Sequence, residues 1–80
     1  MMEEVEVYER LTTVFHDVFD DDEIVLTPTL TANDIDEWDS LQHIRLVLSV
    51  EKNFKIKFTA AEVGALKNVG EFVALVRSKL

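Results

Sequence analysis

Apolar residues recur every three or four positions through the first part of the chain, which is the spacing of one face of an amphipathic helix. Between Glu3 and Phe19 the apolar positions are Val5, Tyr8, Leu11, Val14, Phe15, Val18 and Phe19. An acidic run follows, from Asp20 to Glu23. Because carboxylates are unfavourable at the negative end of a helix dipole, the first helix is expected to end there.

The stretch from about Asp20 to Trp38 has no helical spacing and contains the only proline, Pro28. A loop of roughly 20 residues is long for a compact domain, and such loops are generally functional or wrongly assigned. We interpret its apolar residues as anchors that hold the loop across the helices, and a short helical turn within it is compatible with the pattern. The anchors are Ile24, Leu26, Leu30, Ile35 and Trp38.

A second helix is predicted from Ser40 to Phe54, with Asp39 as its N-cap. Its helically spaced positions are Leu41, Ile44, Val47, Leu48, Glu51 and Phe54, and the apolar residues among them are interpreted as core. The next residues alternate with a period of two, but one strand without a partner is not stable. We therefore expect an extended connector in which Ile56 and Phe58 are buried.

Two more helices complete the predicted fold. The residues from Thr59 to Glu62 form a capping-box pattern, which opens a short helix that ends near Gly64 or Leu66. Asn68 is the cap of the last helix, whose apolar positions are Val69, Phe72, Val73, Val76 and Leu80. The sequence thus predicts one all-α domain over residues 1–80, a small four-helix bundle of three main helices and one short helix, with a long loop between helices 1 and 2.

The charge balance limits the classes of partner. The chain has 16 acidic and 8 basic residues and a net charge of -8, which disfavours nucleic acid and favours proteins with basic patches. The absence of cysteine excludes disulfides and thiolate metal sites and fits a reducing compartment. No apolar run reaches the ~20 residues of a membrane span, and the acidic start lacks a signal-peptide pattern. We expect a cytoplasmic monomer that does not insert into membranes.

A calcium site is not supported by the acidic loop. Asp34 and Asp36 resemble the first ligands of an EF-hand loop, which also requires an oxygen ligand, a glycine and a glutamate further along. Those positions hold Trp38, Asp39 and Arg45. No metal site is assigned.

An enzyme is not expected, although Ser40 and His43 share a helical face beside Asp39 and leave a small hydrolase as an alternative. The only glycines, Gly64 and Gly70, lie far along the chain, so no glycine-rich oxyanion site is close to the serine. Ser40 itself lies where a helix begins, and its hydroxyl is expected to be exposed on a rigid corner. Unpaired N–H groups at a helix start favour an anion there, whereas nearby carboxylates oppose it.

The segment Trp38–Leu41, followed by a helix to Phe54 and an Ile-x-Phe connector, resembles the acyl carrier proteins. The resemblance covers nearly the whole chain. It implies that Ser40 carries 4'-phosphopantetheine, attached by a phosphopantetheinyl transferase, and that the thiol of this arm holds acyl or aminoacyl groups as thioesters. Asp39 would contact the transferase and its metal, and Leu41 would shape the docking surface. The expected partner-recognition residues are Asp36, Glu37, Asp39, Leu41, Arg45 and Leu48.

Two departures from the fatty-acid type of carrier suggest a specialised pathway. The glycine that usually precedes Asp-Ser is replaced by the segment 36–38. The second helix, usually acidic, has Glu51 as its only acid and otherwise Gln42, His43, Arg45 and Lys52. Its partners are expected to be acyl-loading and acyl-transferring enzymes with basic patches. A non-catalytic interaction module with the same fold and an unmodified serine is the alternative.

Overall fold

The computed structural model describes residues 3–80, and within them it consists of helices and connecting loops without a strand. The helices are α1 (Glu4–Phe19), α2 (Ser40–Phe54), α3 (Ala60–Gly64) and α4 (Val69–Ser78), and a 3₁₀ turn (Ala32–Asp34) lies in the loop between α1 and α2. The predicted small helical bundle, its short third helix, its long first loop and the helical turn in that loop are confirmed.

Helix α1 packs against α2 and α4 and contributes the largest share of the core. Its buried residues are Val7, Leu11, Val14, Phe15 and Phe19. The prediction that Val5 belongs to this face is wrong, because its side chain is 66% exposed. Residues two apart lie about 200° apart around a helix, so Val5 and Val7 cannot both face the core.

Helix α2 has two apolar faces, and the predicted core positions fall on both: Val47 and Phe54 are buried as expected, whereas the others are not. Its core face consists of Leu46, Val47, Val50 and Phe54. The predicted core positions Leu41, Ile44 and Leu48 are instead 67%, 56% and 58% exposed. Both sets recur at helical spacing, so periodicity alone could not show which one the other helices cover.

The long loop is held to the bundle by its apolar residues, as predicted. Ile35 is buried, and Ile24, Leu26, Leu30 and Trp38 pack against the core. A hydrogen bond of 2.8 Å between His16 Nε2 and the Ile24 carbonyl oxygen also ties the loop to α1.

The middle of the loop also seals the start of α4. The Val69 N–H donates to the Leu30 carbonyl oxygen at 2.9 Å, and the Gly70 N–H donates to the Pro28 carbonyl oxygen at 3.0 Å. These N–H groups have no acceptor within their own helix, so the loop carbonyls satisfy them. Asn68 is the cap of α4, as predicted, and accepts the Glu71 N–H at 2.8 Å.

The connector between α2 and α3 is extended, with Ile56 buried and Phe58 half-buried. The Glu51 carboxylate accepts the Phe58 N–H at 2.7 Å, so the only acid of α2 is engaged within the molecule.

The predicted capping box at the start of α3 is present. Its Glu62 accepts the Thr59 N–H and pairs with Lys79 Nζ at 3.0 Å, and these hydrogen bonds lower the pKa of the Glu62 carboxyl.

At the end of α4, Leu80 is 43% exposed, so its predicted place on the buried face is wrong. The helix ends at Ser78, and Leu80 therefore leaves the helical spacing.

None of the four helices between residues 3 and 80 combines the length and the apolar character that crossing a bilayer requires.

Candidate functional site

Ser40 is the first residue of α2, and its side chain is exposed. The helix is capped by the preceding residue, because the Asp39 carboxylate accepts the Gln42 N–H at 2.9 Å. The serine hydroxyl is therefore not needed as a cap. The backbone N–H groups of Ser40 and Leu41 also have no acceptor within α2, since they belong to its first turn.

The start of α2 is fixed by the aromatic residue before the cap. The indole of Trp38 meets the ring of Phe15 edge to face, with centroids 5.3 Å apart, and lies 6.0 Å from the ring of Phe19. The backbone N–H of Trp38 also donates to the Ile35 carbonyl oxygen at 3.1 Å. Aromatic pairs with this geometry stabilise beyond the area that they bury, so Ser40 emerges from a rigid junction.

Trp38 has a second partner one turn into α2. Its indole Nε1–H donates to His43 Nδ1 at 3.0 Å, and the two rings are nearly parallel, with centroids 5.9 Å apart and an angle of 27° between their planes. His43 is half-buried rather than exposed. No spacing rule pairs a loop indole with a histidine five residues later, and the sequence offered no signal for this contact.

The side chains of Ser40, His43 and Asp39 do not form a catalytic triad. The Asp39 carboxylate is bonded to the Gln42 N–H, and His43 Nδ1 is bonded to the indole. In a triad the carboxylate instead orients the imidazole at this nitrogen. The geometry thus argues against the hydrolase alternative.

A cavity of about 450 Å³ adjoins Ser40 between the start of α2 and the segment that contains α3 and the start of α4. Its apolar wall consists of Trp38, Val63, Leu66 and Phe72, and its other lining residues are Ala32, Asp39, Ser40, His43, Gly64, Lys67 and Asn68. Leu41, Val47 and Ile56 do not line this cavity.

The residues predicted for partner recognition fall into two groups. Asp36, Glu37 and Asp39 are exposed just before Ser40, so carboxylates surround the start of α2. Leu41 and Leu48 are exposed on the outer face of α2. Ile44 lies between them on that face and was not among the predicted recognition residues, because it was assigned to the core only.

The charge on the outer part of α2 has the opposite sign. Arg45 is exposed and donates to the Gln42 side-chain oxygen at 3.2 Å, and Lys52 is exposed nearer the end of the helix. Glu51, the only acid of α2, is half-buried, and its carboxylate accepts the Phe58 N–H. In residues 3–80, no group of three or more histidine, aspartate or glutamate side chains is placed to hold a metal ion.

No family model and no curated protein matches the chain. Among solved structures, it is similar to the solution NMR structure of the holo acyl carrier protein from Geobacter metallireducens. The two chains are 52% identical, the match covers 91% of this chain and 84% of the other, and the TM-score is 0.87. Identity at this level over nearly the whole chain, together with a serine at the start of α2, leads to one conclusion: the chain belongs to the acyl carrier protein family.

Proposed function

We propose that this protein is a thioester carrier, in which Ser40 Oγ bears 4'-phosphopantetheine and the chain works as one carrier domain. The observation that carries the proposal is the exposed Ser40 hydroxyl at the first position of α2, relieved of capping by Asp39. Membership of a family with a 52% identical holo carrier supports the same cofactor here.

The residues around Ser40 fit this arm. The exposed hydroxyl is open to the transferase, and the unpaired N–H groups of Ser40 and Leu41 favour the negative phosphodiester that would replace the hydroxyl proton. When bound, the arm supplies a thiol that forms thioesters. The protein contributes a rigid attachment point and no catalytic step of its own.

We propose acyl cargo, with aminoacyl cargo as the alternative. The cavity beside Ser40 is within the usual size range of ligand pockets, about 300–1,000 Å³, and much of its wall is apolar. Each methylene of an acyl chain that is buried there would contribute about 0.8 kcal/mol. Mass spectrometry of natively purified protein reads the cargo directly, and an amine-bearing thioester would favour the alternative.

The partners that we propose are the phosphopantetheinyl transferase and the acyl-loading and acyl-transferring enzymes of a specialised pathway. Basic patches on these enzymes would face Asp36, Glu37 and Asp39 beside the serine. Farther along α2 the same enzymes would contact Leu41, Ile44 and Leu48, which lie next to the exposed Arg45. A partner shaped for an entirely acidic helix would meet repulsion at Arg45, which is the reason for proposing a specialised pathway.

Intact mass separates the three functions considered. After incubation with a broad-specificity transferase and coenzyme A, we expect wild-type protein to gain one phosphopantetheine and Ser40→Ala to gain none. If wild-type protein stays unmodified with several such transferases, the interaction module with an unmodified serine replaces the carrier. Hydrolysis of simple esters that disappears in His43→Ala would support the hydrolase instead.

The outer face of α2 is tested by transferase kinetics. We expect Leu48→Ser to lower kcat/KM for modification by about tenfold, because burying a leucine contributes about 1.5–3 kcal/mol. Val5→Ser is the control, since Val5 is similarly exposed (66%, against 58% for Leu48) but lies on α1. Equal losses in the two variants, or none in Leu48→Ser, would contradict docking through this face.

A further inference from the structure

The indole of Trp38 fixes the chemical form of the histidine beside Ser40. Because Trp38 Nε1–H can only donate, His43 Nδ1 must be the acceptor in their 3.0 Å hydrogen bond. A neutral imidazole that accepts at Nδ1 has its proton on Nε2. The half-buried ring therefore has one N–H left to offer, at Nε2.

This N–H belongs to a residue that shares the cavity with Ser40. Both residues line it, and three positions along a helix bring two side chains onto the same face, with Cβ atoms about 5–6 Å apart. Trp38 is itself held by the rings of Phe15 and Phe19. The imidazole is thus oriented before any ligand binds.

We propose that His43 Nε2–H donates a hydrogen bond to the phosphodiester on Ser40 and that Trp38 is the positioning residue that fixes this tautomer. The inference rests on the proposed attachment at Ser40 and adds a binding contact for the arm. A negative phosphodiester at this site lies next to the carboxylate of Asp39, which lines the same cavity, so it gains from a hydrogen-bond donor there. Lys67 also lines the cavity and carries a positive charge that favours an anion. Its side chain is exposed, however, and a lysine ammonium is carried on a flexible stem, so it is not oriented as His43 is.

The tautomer is tested first, by NMR of the ¹⁵N-labelled apo protein at about pH 8, above the ordinary histidine pKa of about 6.5. We expect the ring nitrogens of His43 to show the Nε2–H form in wild-type protein. Trp38→Phe keeps a packed ring but removes the donor, and we expect a substantial Nδ1–H population in it. An Nδ1–H form in wild-type protein would overturn the proposal.

The contact with the arm is tested next in holo protein by the ³¹P resonance and by nuclear Overhauser effects between the arm and the His43 ring. His43→Asn keeps an oxygen that can accept from Trp38 but has no atom at the Nε2 position, whereas His43→Gln restores an N–H near it. We expect the ³¹P resonance to shift in His43→Asn and to return towards its wild-type position in His43→Gln. The arm-to-ring effects should be present in wild-type protein.

His16 is an internal control, because the chain has two histidines and His16 is bonded to Ile24 on the loop. Its ring signals should be the same in the apo and holo forms, while the His43 Nε2–H signal shifts. If the arm is attached but the His43 and ³¹P signals do not respond, the donor role fails and the carrier function stands. If no phosphopantetheine is attached at all, the proposed function fails and the donor role with it.

Discussion

Among single residues, Asp39 and Ser40 have separate roles at the start of α2: Asp39 caps the helix, and Ser40 presents a free hydroxyl. In many other helices the serine at such a start is itself the cap. The Asp39 carboxylate binds the Gln42 N–H, which leaves the Ser40 hydroxyl exposed. In a serine that was itself the cap, modification would alter the oxygen that accepts the capping hydrogen bond. Here a group can be attached without disturbing the cap.

This division predicts unequal effects of two neighbouring substitutions. We expect Asp39→Ala to lower the free energy of unfolding by about 1 kcal/mol, the usual loss for an N-cap. Ser40→Ala should change it by less than about 0.5 kcal/mol, as for other surface substitutions. Urea denaturation of the apo proteins measures both. A loss above about 2 kcal/mol in Ser40→Ala would mean that the serine is the cap after all.

Three features could be predicted because each depends on local spacing. They are the Asp39 cap, the position of Ser40 at the start of α2, and Trp38 as an anchor of the loop. The contact between Trp38 and His43 could not, since it depends on the rotamers of two side chains brought together by the loop. The same limit applies to the cavity. Its walls come from segments distant in sequence, and no single periodicity describes them.

At the scale of elements, the loop between α1 and α2 is part of the fold and not merely a connection. Its carbonyl groups at Pro28 and Leu30 accept the first N–H groups of α4. Its apolar residues pack on the core, and its end positions Trp38 before the serine. Its length lets the chain reach the start of α4 on its way from α1 to α2.

The seal between the loop and α4 depends on the lack of a side chain at Gly70. A Cβ there would lie 3.0 Å from the Pro28 carbonyl oxygen, whereas a Cβ at Gly64 would have no atom within 4 Å. We expect Gly70→Ala to be less stable than wild-type protein by about 1 kcal/mol, since overpacking typically costs 1–3 kcal/mol. Gly64→Ala, the matched control, should be neutral or stabilising by up to about 1 kcal/mol. Thermal and urea unfolding compare them, and a stabilised Gly70→Ala would show that the loop moves aside freely.

The four helices and their caps could be predicted at this scale, but the buried face of α2 could not. Leu41, Ile44 and Leu48 form as regular a stripe as the residues that are buried. Which of the two stripes is buried depends on how α1 packs against α2 and on the core that the helices form together. The exposed stripe is the one that we assign to partners.

At the scale of the whole molecule, the excess of negative charge is only partly compensated. The chain has 16 acidic and 8 basic residues. Between residues 3 and 80, ion pairs join Arg77 to Glu4 and Lys79 to Glu62. Most carboxylates thus repel one another across the surface, and this repulsion opposes the compact state.

Screening should therefore stabilise the apo protein. Raising sodium chloride from about 0.01 M to about 1 M shortens the Debye length from about 30 Å to about 3 Å, and we expect Tm to rise. Calorimetry or circular dichroism measures the shift. Asp22→Asn removes one exposed charge of the acidic run and should raise Tm at low salt and reduce the salt response. A flat or falling Tm would mean that the carboxylates are already compensated by specific pairs.

The carrier function depends on one oxygen atom, Ser40 Oγ, and fragmentation mass spectrometry can locate a group attached to it. After the protein is treated with a transferase and coenzyme A and digested, the peptide that contains Ser40 should carry one phosphopantetheine, and its fragment ions should assign the group to this serine. A group found on another residue, or a peptide that stays unmodified while a known carrier protein is converted in the same reaction, would show that Ser40 does not carry the arm.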